Sequence, residues 1–225
     1  MEDNNNWQSK FNSCFYSSKL MDKLLLINEK KSVKDKIDLV EIQKAIYYAK
    51  KYHGDQKRQS GEVYYSHPIE VAYMVSDYIF RTDIIVTAIL HDTIEDTDLT
   101  FEMIKTLFGN LVAEKVNDLT RIKDSNCKIT STQMVESLFQ QKKYDVLLIK
   151  QFDRLHNMQT IGVKSSEKIQ KILNETAQTF LVLSEFLEIP NARQELAILC
   201  DNLNPFKSSK KNSRFDDEYL ISLIS

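Results

Sequence analysis

The chain has 225 residues, 42% of them hydrophobic, enough apolar material for one sizeable core with extra terminal segments. A net charge of −2 excludes a general polyanion-binding surface, so any recognition of phosphate must come from locally placed charge. Only 4 Gly and 3 Pro argue against a turn-crowded all-β protein and for an all-α one.

The amino terminus, MEDNNNWQSK, is acidic and amide-rich and lacks a basic segment followed by an apolar one, so it does not read as a signal peptide. Residues 1–32 are expected to hold a polar segment and one amphipathic helix over KLMDKLLLINEKK, either a docking helix or the first helix of the core. From 33 to 200, the expected main domain, helical periodicity recurs almost without interruption. DLVEIQKAIYYAKKYH puts Leu39, Ile42, Ile46 and Ala49 on one face and ends at Gly54. SHPIEVAYMVSDYI has Pro68 at a first helical position. TDIIVTAILHDTIED starts with a Thr-Asp cap and is apolar almost all round, as a buried central helix should be.

TFEMIKTLFGNLVAEKVNDLTRI reads as two helices meeting near Gly109. STQMVESLFQQ, KYDVLLIKQFDRLHNMQTIG and the long SSEKIQKILNETAQTFLVLSEFLEIP follow, the last stopping before Pro190. NARQELAILCDNL is the final helix, and residues 201–225 read as a basic, serine-rich linker with a short amphipathic end. Loops are short except 54–66 and 121–131, and no repeat is evident. Cys14, Cys127 and Cys200 are widely spaced and form no CxxC pair, which points to reduced thiols and a cytoplasmic protein. The longest apolar runs are about four residues, far short of a membrane span. Neither a membrane nor a nucleic acid is expected as a partner.

AILHDTIEDT, residues 88–97, closes its apolar run with His91, Asp92, Glu95 and Asp96. Like charges at helical neighbour spacing repel, so a positive partner should sit among them, or they should spread over a solvated face. Asp98 fits the solvated reading. The chain has only 4 histidines. YYSHPI supplies His67, LHDTIED supplies His91 and Asp92, and FDRLHNMQT supplies Asp153 and His156. Two neutral imidazoles and two carboxylates balance one divalent cation, and mixed nitrogen and oxygen donors suit Mn²⁺, Fe²⁺ or Zn²⁺. Four protein ligands leave room on a six-coordinate ion for water and a substrate oxygen. Glu95 and Asp96, one turn beyond His91 and Asp92, line the same mouth, where a carboxylate orients water and takes its proton. Asp153, His156, Asn157 and Thr160 share one helical face, with Leu147, Leu148 and Leu155 turned to the core. His156 is either a residue behind the ligands or purely structural. His53, at a helix end before Gly54, reads as structural.

The ordered set of His, His-Asp and Asp resembles the HD superfamily of metal-dependent phosphohydrolases. HGDQKRQSGEVYYSHPIEVA, AILHDTIEDTDLT, FGNLVAEKVNDLTRIK and LIKQFDRLHNMQT are similar to the hydrolase domain of the RelA/SpoT group, over roughly residues 40–190. The resemblance implies an all-α, compact multi-helix bundle with a buried metal site, with room for one short hairpin near residues 58–66. It implies removal of the 3′-pyrophosphate from (p)ppGpp, a small guanosine nucleotide, leaving GDP or GTP. It makes His67, His91, Asp92 and Asp153 the ligands of Mn²⁺ or another divalent metal, and Glu95 and Asp96 the pair that handles the attacking water. It places Arg58 against the guanine, with Ser60, Asn157 and Thr160 near the nucleotide. Gln59 stands where such proteins often carry a basic residue, which implies weaker binding or a shifted preference among guanosine nucleotides; Lys57 is placed to compensate. Phe152 stands where a small residue is common, a change that bears on packing. The chain ends at Ser225, which leaves no room for a synthetase domain and implies a stand-alone hydrolase or a remnant of a bifunctional ancestor. The alternatives are an HD phosphohydrolase acting on another nucleotide, such as the 2′-phosphate of NADPH, and a catalytically silent nucleotide-binding module.

Overall fold

The computed structural model describes residues 6–32, 36–121, 128–161 and 164–204. Among them the regular structure is helical. In chain order the helices are α1 (Trp7–Lys10), α2 (Phe15–Glu29), α3 (Leu39–His53), α4 (Ser66–Val75), α5 (Thr82–Leu90) and α6 (Thr93–Asp96). There follow α7 (Phe101–Phe108), α8 (Asn110–Asp118), α9 (Ser131–Gln140), α10 (Tyr144–Gln159), α11 (Ser166–Glu175), a π-helical turn (Thr176–Phe180), α12 (Leu181–Phe186) and α13 (Pro190–Leu203). None is long and apolar enough to cross a membrane. The chain divides into two compact units, Met1–His156 and Asn157–Ser225, and the division falls inside α10.

In the first unit α5 is the central helix. Seven consecutive side chains from Ile84 to Leu90 are 0% exposed, as a helix apolar on all sides requires. It packs against α3, α4 and α8. From α3 come Ile42, Ala45, Ile46 and Ala49, all fully buried. The Asp38 carboxylate caps α3 by accepting from the amides of Val40 and Glu41. The expected Thr-Asp cap of α5 is not formed. Arg81 occupies the cap position, and the Thr82 hydroxyl instead accepts from the Asp38 amide at 2.9 Å, tying the starts of α3 and α5 together.

The amphipathic segment near the amino terminus is a helix of the core. α2 lies on α4, buries Leu20 and Leu24 completely, and pairs Lys19 with Glu70 and Lys23 with Asp77. Asn28 closes its end: the buried amide exchanges two 2.8 Å hydrogen bonds with the backbone of Ile37. α4 begins at Ser66, so Pro68 is its third residue rather than its first. An amide at that position lacks an intrahelical acceptor in any case, so proline is tolerated there. Between α3 and α4 the chain forms a short hairpin, with Lys57 bridged to Val63 and the Arg58 amide donating to Glu62 at 2.8 Å. α7 and α8 meet at Gly109, whose φ of 87° suits glycine.

In the second unit the long helix expected over 165–190 is interrupted by the π-helical turn. The Thr176 hydroxyl takes the Ile172 carbonyl at 2.7 Å, a side-chain bond that competes with the backbone ladder where the wider turn begins. Phe180 and Leu196 are fully buried in this unit. Pro190 starts α13, which runs on to Leu203; the tail from residue 205 lies outside the described residues.

Candidate metal centre

The helix expected over 82–96 breaks in the middle, and the break builds the site. α5 stops at Leu90 because two side chains take its last carbonyls: His91 Nδ1 meets Ala88 O at 2.8 Å and the Thr93 hydroxyl donates to Leu90 O at 2.7 Å. The short α6 then starts at Thr93. His91 and Asp92 sit at the corner, and the carboxylates of Glu95 and Asp96 follow on the next turn.

Three elements converge on this corner. His67 comes from the first turn of α4 and Asp153 from α10. His67 Nε2 lies 3.1 Å from Asp153 Oδ1 and 3.6 Å from Asp92 Oδ2. His91 Nε2 lies 3.0 Å from Asp92 Oδ1 and 3.8 Å from Asp153 Oδ1. His67, His91 and Asp153 are buried, and their nearest donor atoms lie within 4.8 Å of one another. Asp92 adjoins them on the more open side, its side chain 21% exposed.

The proton positions suit a cation. Ala88 O only accepts, so His91 Nδ1 carries a hydrogen and Nε2 is the nitrogen turned to the carboxylates. That buried Nε2 has no hydrogen-bond partner, although two carboxylate oxygens are near it. Burial by itself depresses the His91 imidazole, but Asp92 and Asp153 outweigh burial and push it up to about 10. A proton thus supplies the positive charge that the two carboxylates demand. Burial also opposes the charge on Asp153, yet Lys150 and the imidazoles hold its carboxyl well below the usual carboxylate range.

His156 stands behind His67, the two Nδ1 atoms 2.8 Å apart. Burial, His67 and the nearby Arg58 guanidinium push His156 down to about 3, so it is neutral and can accept. His156 thus engages His67 Nδ1 from behind, and Nε2 is the nitrogen that faces Asp153. Both imidazoles therefore engage Nδ1 behind and turn Nε2 inward, the arrangement expected of histidines that bind a metal. The donor set of imidazole nitrogens and carboxylate oxygens fits a divalent cation.

Glu95 and Asp96 have separate environments. Arg121 Nη2 lies 3.1 Å and Lys128 Nζ 2.6 Å from Glu95 Oε1. Burial opposes the charge of Glu95, but these two cations lower its carboxyl below the ordinary value. Asp96 accepts a 2.6 Å hydrogen bond from the Tyr64 hydroxyl, and burial raises its carboxyl. The Tyr64 ring stacks on His53 with centroids 4.7 Å apart, and His53 Nδ1 lies 3.0 Å from Gln56 Oε1. His53 is thus a packing support for Tyr64.

Arg58, half-buried, and the exposed Ser60 belong to the hairpin before α4, where the Ser60 hydroxyl lies 3.4 Å from Glu62. Asn157 and Thr160 belong to the second unit. Sequence reasoning passed over Tyr64, Lys150, Arg121 and Lys128. The first two carried a signal, since Tyr64 lies one turn before His67 and Lys150 one turn before Asp153. Arg121 and Lys128 lie 26 and 33 residues beyond Glu95, with no local pattern to mark them.

Residues 45–189 match the family model described as HD domain. Among curated proteins, a guanosine-3′,5′-bis(diphosphate) 3′-pyrophosphohydrolase of Aquifex aeolicus is 39% identical over 158 residues, 69% of this chain and 23% of that protein. A protein of Brucella ovis named GTP pyrophosphokinase rsh is 35% identical over 182 residues, 79% of this chain and 24% of its own length. The chain thus spans about a quarter of the length of these relatives. One solved structure, described as a metazoan ortholog of SpoT that hydrolyzes ppGpp and plays a role in starvation responses, superposes with a TM-score of 0.56 at 22% identity. The match covers 72% of this chain and 94% of that one, and it establishes a shared fold. By the family match over most of its length, and by an all-helical fold that brings its ordered His, His-Asp and Asp together, the chain belongs to the HD domain family.

Proposed function

We propose that this chain hydrolyses the 3′-pyrophosphate of (p)ppGpp, releasing pyrophosphate and GDP or GTP, as a Mn²⁺-dependent cytoplasmic enzyme. The observation that carries the proposal is the buried convergence of His67, His91 and Asp153 with Asp92 at its open edge. These four residues would hold the cation. When bound there, a divalent ion supplies Lewis acidity toward a phosphate oxygen and lowers the pKa of water. The names of the Aquifex relative and of a Synechocystis one, a probable 3′-pyrophosphohydrolase 36% identical over 158 residues, support this choice of substrate.

The chain's own groups divide the remaining work. Asp96, raised by burial and held by the Tyr64 hydroxyl, is the better acceptor for the proton of the attacking water. Glu95 is fixed by Arg121 and Lys128 and serves as an oriented charge beside it. Arg58 offers a planar guanidinium to the guanine face, and Ser60 a hydroxyl to the nucleotide. In the overall reaction water adds across the bond between the 3′ oxygen and its phosphorus, the nucleoside keeping the hydroxyl.

The test is product analysis. Purified protein is incubated with ppGpp or NADPH and Mn²⁺, with and without chelator, and the nucleotides are resolved. Release of GDP and pyrophosphate from ppGpp, abolished by chelator, is the expected result. Turnover of NADPH with ppGpp left intact would overturn the substrate assignment, and binding of ppGpp without product would overturn catalysis.

A further inference from the structure

Lys150 precedes Asp153 by one helical turn on α10, and both side chains are buried, 9% and 7% exposed. Its ammonium donates to Asp153 Oδ2 at 2.7 Å, while Oδ1 of the same carboxylate faces His67 Nε2 at 3.1 Å and His91 Nε2 at 3.8 Å. The two oxygens of one carboxylate therefore serve different partners. A buried ammonium is costly even when paired, and an apolar side chain of similar volume would fill the position at less cost. Its neighbours on the helix, Val146, Leu147 and Ile149, are fully buried and apolar, so packing alone gives no reason for a charge.

The charge balance supplies one. Two neutral imidazoles and two carboxylates compensate a divalent ion, and Lys150 adds a further positive charge to that balanced set. We propose that Lys150 is a positioning residue that limits Asp153 to one oxygen toward the cation and keeps the centre one positive charge in excess. The ion is then held less tightly and draws harder on a phosphate oxygen than four compensating ligands alone would allow. This inference rests on the cation reading of the site.

Two effects of removing Lys150 oppose each other. Loss of a group that orients a ligand typically weakens metal binding by about 10–100-fold. Loss of a neighbouring positive charge strengthens it. Here the charge effect prevails, because Asp153 keeps its place without the lysine: Phe152 and Leu155 anchor the helix in the core, and His67 still meets Oδ1.

Metal-free protein is titrated with Mn²⁺, and the electron paramagnetic resonance signal of the free aquo ion is followed. Lys150→Met is expected to bind Mn²⁺ on the order of tenfold more tightly than wild type, with a changed spectrum of the bound ion. Lys150→Arg, which keeps the charge, is expected to match wild type. Unchanged or weaker binding by Lys150→Met overturns the inference while leaving the cation reading intact. If wild type takes up no Mn²⁺, or Asp153→Ala binds as well as wild type, the cation reading fails and the inference with it. Should Lys150→Met not fold, Lys150→Gln carries the same expectation in the same titration.

Discussion

His67 and His156 meet nitrogen to nitrogen, their Nδ1 atoms 2.8 Å apart across 89 residues of sequence. The contact decides which face of His67 is available to a ligand. His156, driven neutral, engages Nδ1 and leaves Nε2 as the nitrogen that faces Asp153. A histidine that the sequence left between two readings is thus the support of a ligand. His156→Ala is expected to keep the helical fold and to weaken Mn²⁺ binding by about 10–100-fold, as loss of a ligand's partner commonly does. His156→Gln, whose amide can still hydrogen-bond to His67 Nδ1, is expected to recover part of that loss. Equal Mn²⁺ affinity in all three proteins would show that His67 needs no support.

Glu95 and Asp96 are proposed to act on water rather than on the ion, so their removal should separate binding from turnover. Asp153→Ala is expected to lose Mn²⁺ and hydrolysis together. Glu95→Ala and Asp96→Asn are expected to retain Mn²⁺ affinity and to lower kcat by about 10²–10⁴-fold. Parallel metal titrations and turnover measurements check this. Loss of Mn²⁺ by the Asp96 variant would move that residue into the ligand set.

Asp145 joins Lys115 at 2.5 Å and Arg81 at 3.2 Å. Burial opposes its charge, but Lys115, then the Val146 amide and Arg81, lower its carboxyl below the ordinary carboxylate value. A carboxyl lowered in the folded state adds stability above its unfolded pKa and loses that contribution as pH falls through the folded value. Asp145→Asn is therefore expected to cost about 1 kcal/mol or less at pH 7. The difference should shrink as pH drops below the ordinary carboxylate range. Urea unfolding of both proteins at neutral and acid pH measures it; a cost that stays constant with pH would remove Asp145 from the acid response.

The helices were legible because their signals are local. The apolar sequence of α5, the Gly109 break and the Pro190 start each follow from a few neighbouring residues. The same locality hid the break at His91 and Asp92. Hydrophobic periodicity runs smoothly through LHDTIED, and only the side-chain bonds to Ala88 and Leu90 end the helix there. The ordered His, His-Asp and Asp could be picked out by residue type and resemblance. The groups that tune them could not, because Arg121 and Lys128 reach Glu95 only through the folded chain. Lys150 and Tyr64 were visible at helical spacing, but a lysine and a tyrosine at such positions are ordinary surface and core residues until a partner is seen.

The central claim is that the side chains of His67, His91, Asp92 and Asp153 enclose one divalent ion. Anomalous diffraction from crystals soaked in Mn²⁺ tests it most directly. A single strong peak is expected among those four residues, within bonding distance of both inward Nε2 atoms and of one oxygen from each aspartate. No peak there, or a peak bound by Glu95 and Asp96 without the histidines, would contradict the account.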